Sequence, residues 1–500
     1  MFCTAETAAG RVQGLVNAGI CQFKGVPYGA STGGANRFRP PVKPAPWTGI
    51  RECFGHGPVS PQLPTDSGNL YGQLIYFDIS TAEGGIGEDC LHLNIWTPGL
   101  DAGAKRPVIV SIHGGGFAIS SGNAAVYDGQ QLAKRGDAVV VTVTHRLASF
   151  GYLDLSEHGE AASGAAGIMD LVAALEWVRD NIANFGGDPD CVTIMGQSGG
   201  GWKTNILLAT PSARGLFHRA VVQSGSALRV QTHEEAAPAT QALLAALDIA
   251  PRDAVRALRD LPWQKLLAAQ ARVGAHAFSP VLDGTFLTHH PCDPTAPDES
   301  RDVPLMVSTT TDDASLFFAN FDLDDAGLAM TLKALYGDAS ERLLTLYRRH
   351  YPRVSSYLLQ ARIITDAGFR RLAYTQAERK AAQGAAPVYL YQWDLPCPGF
   401  DARFGAAHAM DVSAMFHNVR DPILGAGSPE GRLLADQLSD ALLAFARTGN
   451  PNHAGLPHWP VFSSRDRAAM FFAAETHVEN DPARELREFW TAMPAASVFG

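Results

Sequence analysis

The run Val192 to Met195 is apolar and strand-like, and it meets Gly196-Gln-Ser198-Gly-Gly200 directly before a segment, Trp202 to Ala209, with the composition of a helix. A chain that turns so abruptly from strand to helix needs positions without a Cβ atom at the corner. Gly196 and Gly200 supply them. The turn sets the hydroxyl of Ser198 on a strained corner, open to a ligand, and makes it a candidate nucleophile. Alternating strand-like and helical patterns run through the rest of the chain without a long linker, which points to an α/β architecture around one extended core.

The motif alone is weak evidence, because 49 glycines in 500 residues give Gly-x-Ser-x-Gly a fair chance of arising at random. A second copy does occur, at Gly29-Ala-Ser31-Thr-Gly33. Pro27-Tyr28 precedes it instead of an apolar strand, and the segment from Gly34 to Pro41 is no helix former. Ser31 therefore reads as a loop serine.

Attack on a carbonyl creates an oxyanion, which needs N–H donors already aimed at it. The segment His113-Gly114-Gly115-Gly116-Phe117 follows the strand Val108 to His113, and the backbones of Gly115 and Gly116 are free of side chains. Together with the N–H of Gly199 they form a candidate oxyanion hole; the bland alternative is a flexible glycine turn. For the base, His408 follows the small-residue run Phe404-Gly-Ala-Ala after the strand-like segment Pro387 to Trp393, whereas His350, His417, His453, His458 and His477 lie in charged, aromatic or Pro/Asn-rich surroundings. For the acid, the strand Val303 to Val307 ends in Ser-Thr-Thr-Thr-Asp312-Asp313, at the carboxyl end where sites gather in open α/β sheets. Asp283, in Val281-Leu-Asp-Gly284, competes, although an Asp-Gly turn explains it as well.

These segments resemble the type-B carboxylesterase family, the cholinesterase-like branch of the α/β-hydrolases, over nearly the whole chain. The matching runs include Phe23-Lys-Gly-Val-Pro-Tyr, Glu88-Asp-Cys-Leu-His-Leu-Asn-Ile-Trp96, His145-Arg-Leu-Ala-Ser-Phe-Gly-Tyr-Leu, Phe185-Gly-Gly-Asp-Pro189, Gln223-Ser-Gly-Ser226 and Phe445-Ala-Arg-Thr-Gly-Asn-Pro451. The resemblance implies an α/β-hydrolase fold: a mostly parallel central sheet flanked by helices, opened by an N-terminal hairpin. It implies a serine esterase that hydrolyses small-molecule carboxylic esters through an acyl-enzyme, without metal or organic cofactor. The family pattern puts the acid on Asp313 and the base on His408. The chain is expected to form a single domain, 1–500, with helical cap insertions at roughly 232–270 and 325–383.

The chain departs from the family pattern at several positions. Asp313 stands where most members have Glu, one methylene longer, which keeps Asp312 in contention. Gln197 stands where a Glu usually precedes the nucleophile, so the site field should be less negative and its pull on cationic substrates weaker. Trp202 is bulky where relatives are small; it packs into the core or narrows the substrate cavity. The segment Leu70 to Ala82 holds Tyr71, Tyr76 and Phe77 but no tryptophan to face a quaternary ammonium, which argues against a choline ester. Phe317, Phe318 and Phe321 line a pocket or belong to the core.

A net charge of −10 and the absence of a Lys/Arg-rich run disfavour nucleic acid as a partner, and no apolar stretch is long enough to span a bilayer. The N-terminus has no basic region followed by an apolar one, so a cytoplasmic enzyme, monomeric or a small homo-oligomer, is expected unless a leader has been removed. Seven cysteines without a Cys-x-x-Cys pair indicate neither a zinc site nor a full disulfide framework. The family's usual bridge to the Cys90 position has lost its upstream partner, since Pro58-Val-Ser60-Pro-Gln has Ser in its place; Cys53 is the alternative. His289-His290 reads as surface. Two rivals accompany the general esterase: a hydrolase specialised for a bulky ester, carbamate or aryl amide, and a non-catalytic scaffold, which the filled catalytic positions disfavour.

Overall fold

The computed structural model describes residues 1–64 and 83–494. The stretch 70–82, with Tyr71, Tyr76 and Phe77, falls wholly outside the described residues. Thirteen strands among the described residues build one sheet. They are β1 (Phe2–Thr7), β2 (Gly10–Asn17), β3 (Ile20–Pro27), β4 (Ile50–Glu52), β5 (His92–Thr97), β6 (Arg106–Ile112) and β7 (Val139–Val143). There follow β8 (Gly187–Gln197), β9 (Arg219–Gln223), β10 (Leu305–Thr310), β11 (Val388–Trp393), β12 (Ala468–Phe472) and β13 (His477–Asn480). Their spatial order is β1-β2-β3-β5-β7-β6-β8-β9-β10-β11-β12-β13, with β4 paired to β2.

The centre, from β7 to β12, is parallel, and antiparallel strands flank it on both sides. Parallel strands need helical crossovers, which cover both faces, so central strands become apolar along their whole length. β7 and β10 are buried at every residue. Period-two alternation then sends neighbouring residues into separate cores. Val108, Val110, Val139 and Val141 pack with Ile168, Leu171, Leu175 and Val178 of the helix Ala166–Asn181 on one face. Ile109, Val140, Met195 and Val221 pack with Leu434, Leu438, Leu442 and Phe445 of the helix Pro429–Thr448 on the other. This second helix opens at a Ser428 cap, whose hydroxyl accepts from Gly431 N.

Two helical excursions leave the sheet, one between β9 and β10 and one between β10 and β11. The first holds His233–Ala246, Ala254–Asp260 and Trp263–Val273, opened by a reciprocal Thr232–Glu235 capping box. The second holds Asp325–Tyr336, Ser340–His350, Ser356–Thr365 and Arg371–Ala382; its first three helices share a small separate core with Leu486 and Trp490 near the C-terminus.

Ser31 lies exposed in a loop followed only by a single 3-10 turn, Gly34–Asn36. All seven cysteines are free thiols, Cys53 and Cys90 among them, both buried. Seven titratable thiols per chain are expected under denaturing, non-reducing conditions; a count of five would reveal a bridge.

Candidate active site

Ser198 occupies φ 58°, ψ −127° between β8 and the helix Gly199–Leu208, a conformation that costs a non-glycine residue on the order of 1–3 kcal/mol. The neighbouring strand holds it there: its N–H donates to the carbonyl of Gln223 in β9, at 2.8 Å. The corner tolerates only glycine around it. A Cβ on Gly196 would lie 2.3 Å from the Gly200 carbonyl carbon, and one on Gly200 would lie 2.1 Å from the Ile112 oxygen.

The loop after β6 comes up against this corner. Gly115 and Gly116 have φ of 80° and 61°, in the left-handed region that glycine enters freely. A Cβ on Gly199 would sit 2.2 Å from the Gly116 oxygen, so the two backbones touch. The Gly114 N–H is spent on the Tyr127 hydroxyl at 3.0 Å. Among the described residues the N–H groups of Gly115, Gly116 and Gly199 donate to no protein acceptor. Three unspent donors beside one serine are suited to an oxyanion.

β10 delivers two adjacent aspartates with different partners. The Asp313 carboxylate is fully buried; Oδ2 accepts from Thr310 N and Ser224 Oγ, both at 2.9 Å, and Oδ1 accepts from His408 Nδ1 at 2.7 Å. Asp312 turns the other way: Oδ1 accepts from Arg362 Nε at 2.8 Å and Oδ2 from Ala406 N at 3.0 Å. Its backbone N–H also donates to the Ala406 oxygen at 2.9 Å, so Asp312 fastens the loop that carries His408. Burial pushes the Asp312 carboxyl up, against the pull of Arg362 and the Ala406 N–H. Asp283 is a turn residue, with Oδ1 accepting from the N–H groups of Thr285, Phe286 and Leu287.

His408 Nε2 accepts a hydrogen bond from the side-chain amide of Gln197, at 3.0 Å. With Nδ1 donating to Asp313, the ring is the tautomer whose lone pair sits on Nε2. Gln197 thus does more than withdraw a charge: it occupies the lone pair of the candidate base.

Beneath the corner lies polar machinery that the sequence reading did not single out. Asp411, fully buried three residues after His408, accepts from Tyr391 Oη at 2.7 Å and from Gln223 Nε2 at 2.9 Å. Burial raises its carboxyl above the usual range, while the Tyr391 and Gln223 hydrogen bonds oppose the rise. Lys203 is fully buried and donates to the His113 oxygen at 3.1 Å; burial pushes its ammonium well below the usual lysine range. Burial first, and Lys203 second, likewise push His113 and His145 well below the usual histidine range. The only sequence signal for Lys203 is a cation in a helix whose other positions are almost all small or apolar.

The aromatic candidates separate. The Phe317 ring is 5.3 Å from the His408 ring and 41% exposed, on the site. Phe318 is half exposed at the surface. Phe321 packs edge-on against Tyr357 and Phe404, away from His408, as a core residue would. Trp202 is half-buried, tilted on Phe117 at 5.6 Å, with Cζ3 3.7 Å from the place of a Gly116 Cβ. It therefore borders the glycine loop. A cavity of about 910 Å³ opens beside Gly114, Gly115 and Gln197. His289 sits at the surface against Glu299, and no cluster of metal-ligating side chains occurs among the described residues.

A doubly wound sheet, a serine at a strand-to-helix corner, and acid and histidine on loops after later strands define an α/β-hydrolase. The model of the carboxylesterase family matches residues 3–490, and the chain belongs to that family, hydrolases acting on carboxylic esters. It is 34% identical to the para-nitrobenzyl esterase of Bacillus subtilis (strain 168), covering 96% of this chain and 97% of the relative. It is likewise 34% identical to the phenmedipham hydrolase of Pseudarthrobacter oxydans, covering 96% and 97%. A solved carboxylesterase of Geobacillus stearothermophilus superposes with a TM-score of 0.83 at 37% identity, covering 97% of this chain and 99% of that one. No helix among the described residues is long and apolar enough to cross a membrane.

Proposed function

We propose that Ser198, His408 and Asp313 are the nucleophile, base and orienting acid of a carboxylic ester hydrolase, with Gly115, Gly116 and Gly199 as its oxyanion hole. The observation that carries this reading is the buried 2.7 Å contact from His408 Nδ1 to Asp313 beside a serine held at φ 58°. His408 Nε2 exchanges its Gln197 partner for the Ser198 hydroxyl and takes its proton as Oγ adds to the ester carbonyl. The three N–H groups receive the oxyanion. Collapse breaks the carbonyl–alkoxy bond, and the His408 proton goes to the departing alkoxide. Water then attacks the acyl-enzyme with His408 again as base, and release of the acid restores Ser198. Asp313 fixes the ring tautomer and stabilises the imidazolium.

The whole chain acts as one catalytic unit in this reading, and the helices of 233–273 and 325–382 shape access to the pocket. The size of the cavity beside Gly115 favours esters with a bulky leaving group. Seven free thiols favour a reducing, cytoplasmic setting.

The test is hydrolysis of p-nitrophenyl butyrate with mass spectrometry after a fluorophosphonate label. The wild type is expected to turn over the ester and carry one label on Ser198; Ser198→Ala is expected to lose both. Persistent turnover in Ser198→Ala, or a label elsewhere, would overturn the assignment.

A further inference from the structure

We propose that the natural substrates carry an anionic group, in the simplest case a carboxylate, on their alcohol portion, and that Arg420 and Arg432 receive it. This rests on the esterase reading above and adds the substrate class.

The large cavity holds the alcohol half of the ester. In acyl transfer the departing alkoxide takes its proton from the base, so the alcohol portion lies on the side of His408 Nε2. That nitrogen is in contact with Gln197, and Gln197 lines the cavity together with Ala409 and Val412, the residues that follow His408. The cavity is therefore the alcohol side, and it reaches Gly115 of the proposed oxyanion hole.

Its outer wall is cationic. Arg420 and Arg432 both line it and both are exposed to solvent. Among the described residues neither is paired with a carboxylate. Arg432 directs only Nε to a backbone oxygen, that of Gly427 at 2.9 Å, and keeps its terminal nitrogens. The one carboxylate among the described lining residues is Asp421, and it is already engaged: Oδ1 accepts from Ile423 N, capping a 3-10 turn, and Oδ2 from Ser413 Oγ. Gln197 brings an amide to the place where a glutamate would have added a negative charge. Asp421 keeps its charge under its two neutral donors, so the lining sets two guanidiniums, unpaired with any carboxylate among the described residues, against one carboxylate, and the net positive charge draws an anion to the exposed arginines and leaves the ester carbonyl at the corner.

A matched pair of substrates tests it: 4-carboxyphenyl butyrate and its neutral methyl ester, 4-(methoxycarbonyl)phenyl butyrate. Their intrinsic reactivities differ, so the readout is how the ratio of kcat/KM, anionic over neutral, changes between proteins. Arg420→Ala/Arg432→Ala is expected to lower the ratio about tenfold, the size of two partly exposed ion pairs. Arg420→Lys/Arg432→Lys is expected to restore most of it, since charge and not bulk is recognised. The wild-type ratio should also fall as salt rises, because exposed pairs are screened. Monophenyl glutarate, with its carboxylate on the acyl side, should show no such dependence on the two arginines. An unchanged ratio in the double alanine variant, or a dependence confined to the glutarate, overturns the proposal while leaving the esterase reading intact. Failure of the wild type to hydrolyse even the neutral ester overturns the esterase reading, and this proposal with it.

Discussion

Asp313→Asn is expected to lower kcat by about 10⁴-fold, the scale set by a mis-set imidazole tautomer. The reason lies in the partners of the second carboxylate oxygen. Thr310 N and Ser224 Oγ both donate to Oδ2, so an asparagine would turn its oxygen toward them and its NH₂ toward His408. An NH₂ facing Nδ1 demands a lone pair there. The proton moves to Nε2, and the ring presents a donor where Ser198 needs an acceptor. Asp312→Asn next door is expected to act on stability instead, because it loosens the Arg362 and Ala406 contacts that fasten the His408 loop. Steady-state kcat on p-nitrophenyl butyrate, paired with thermal melts of both variants, separates the two. A larger loss of kcat in Asp312→Asn than in Asp313→Asn would reverse the assignment of the acid.

The second large effect is on folding. Arg146 follows β7 and is buried against the first core, with Nε and Nη2 on the two oxygens of Asp170 at 2.8 and 2.6 Å. The Arg146 backbone N–H donates to the same carboxylate at 3.0 Å. Removing one partner strands a buried guanidinium, and Asp170→Ala should cost about 3–5 kcal/mol in urea unfolding. Replacing both partners with apolar residues should cost less than the single change, because the cost comes from the unpaired charge. A loss under about 1 kcal/mol in Asp170→Ala would mean that water reaches Arg146.

Much of this was legible beforehand, for definable reasons. Glycine leaves a mark on sequence wherever backbones touch, so the Ser198 corner and the loop at Gly115 and Gly116 stood out. A continuous apolar run and the two aspartates after it mark β10. Whether Asp312 or Asp313 faces the base was open on residue type alone, since neighbouring strand-end residues point in opposite directions and only the fold says which way the histidine lies. The choice of Asp313 came from family likeness. Lys203 was invisible because a lysine in a helix normally reaches solvent, and its burial depends on the His113 carbonyl, 90 residues earlier. The hydrogen bond from Gln197 to His408 hangs on a rotamer, which no sequence pattern encodes. Arg420 and Arg432 lie more than two hundred residues beyond Gln197, and only the folded chain gathers them around one cavity.

Asp312 and Asp313 act together as a ruler. One grips the backbone of the loop and the other the imidazole it carries, so the geometry of the pair is set locally although 95 positions of chain separate Asp313 from His408. Most of those positions belong to the helices of 325–382, which leave the sheet and return to it. The inner side of that excursion is tied to the pair, through Arg362 on Asp312 and the Phe369 ring 5.2 Å from that of His408, so only its outer surface is free to change without moving the two. The cavity's described lining lies elsewhere, in 114–131 and 397–432 beside Gln197, so one part of the chain can be rewritten for the ester while another keeps the pair in place.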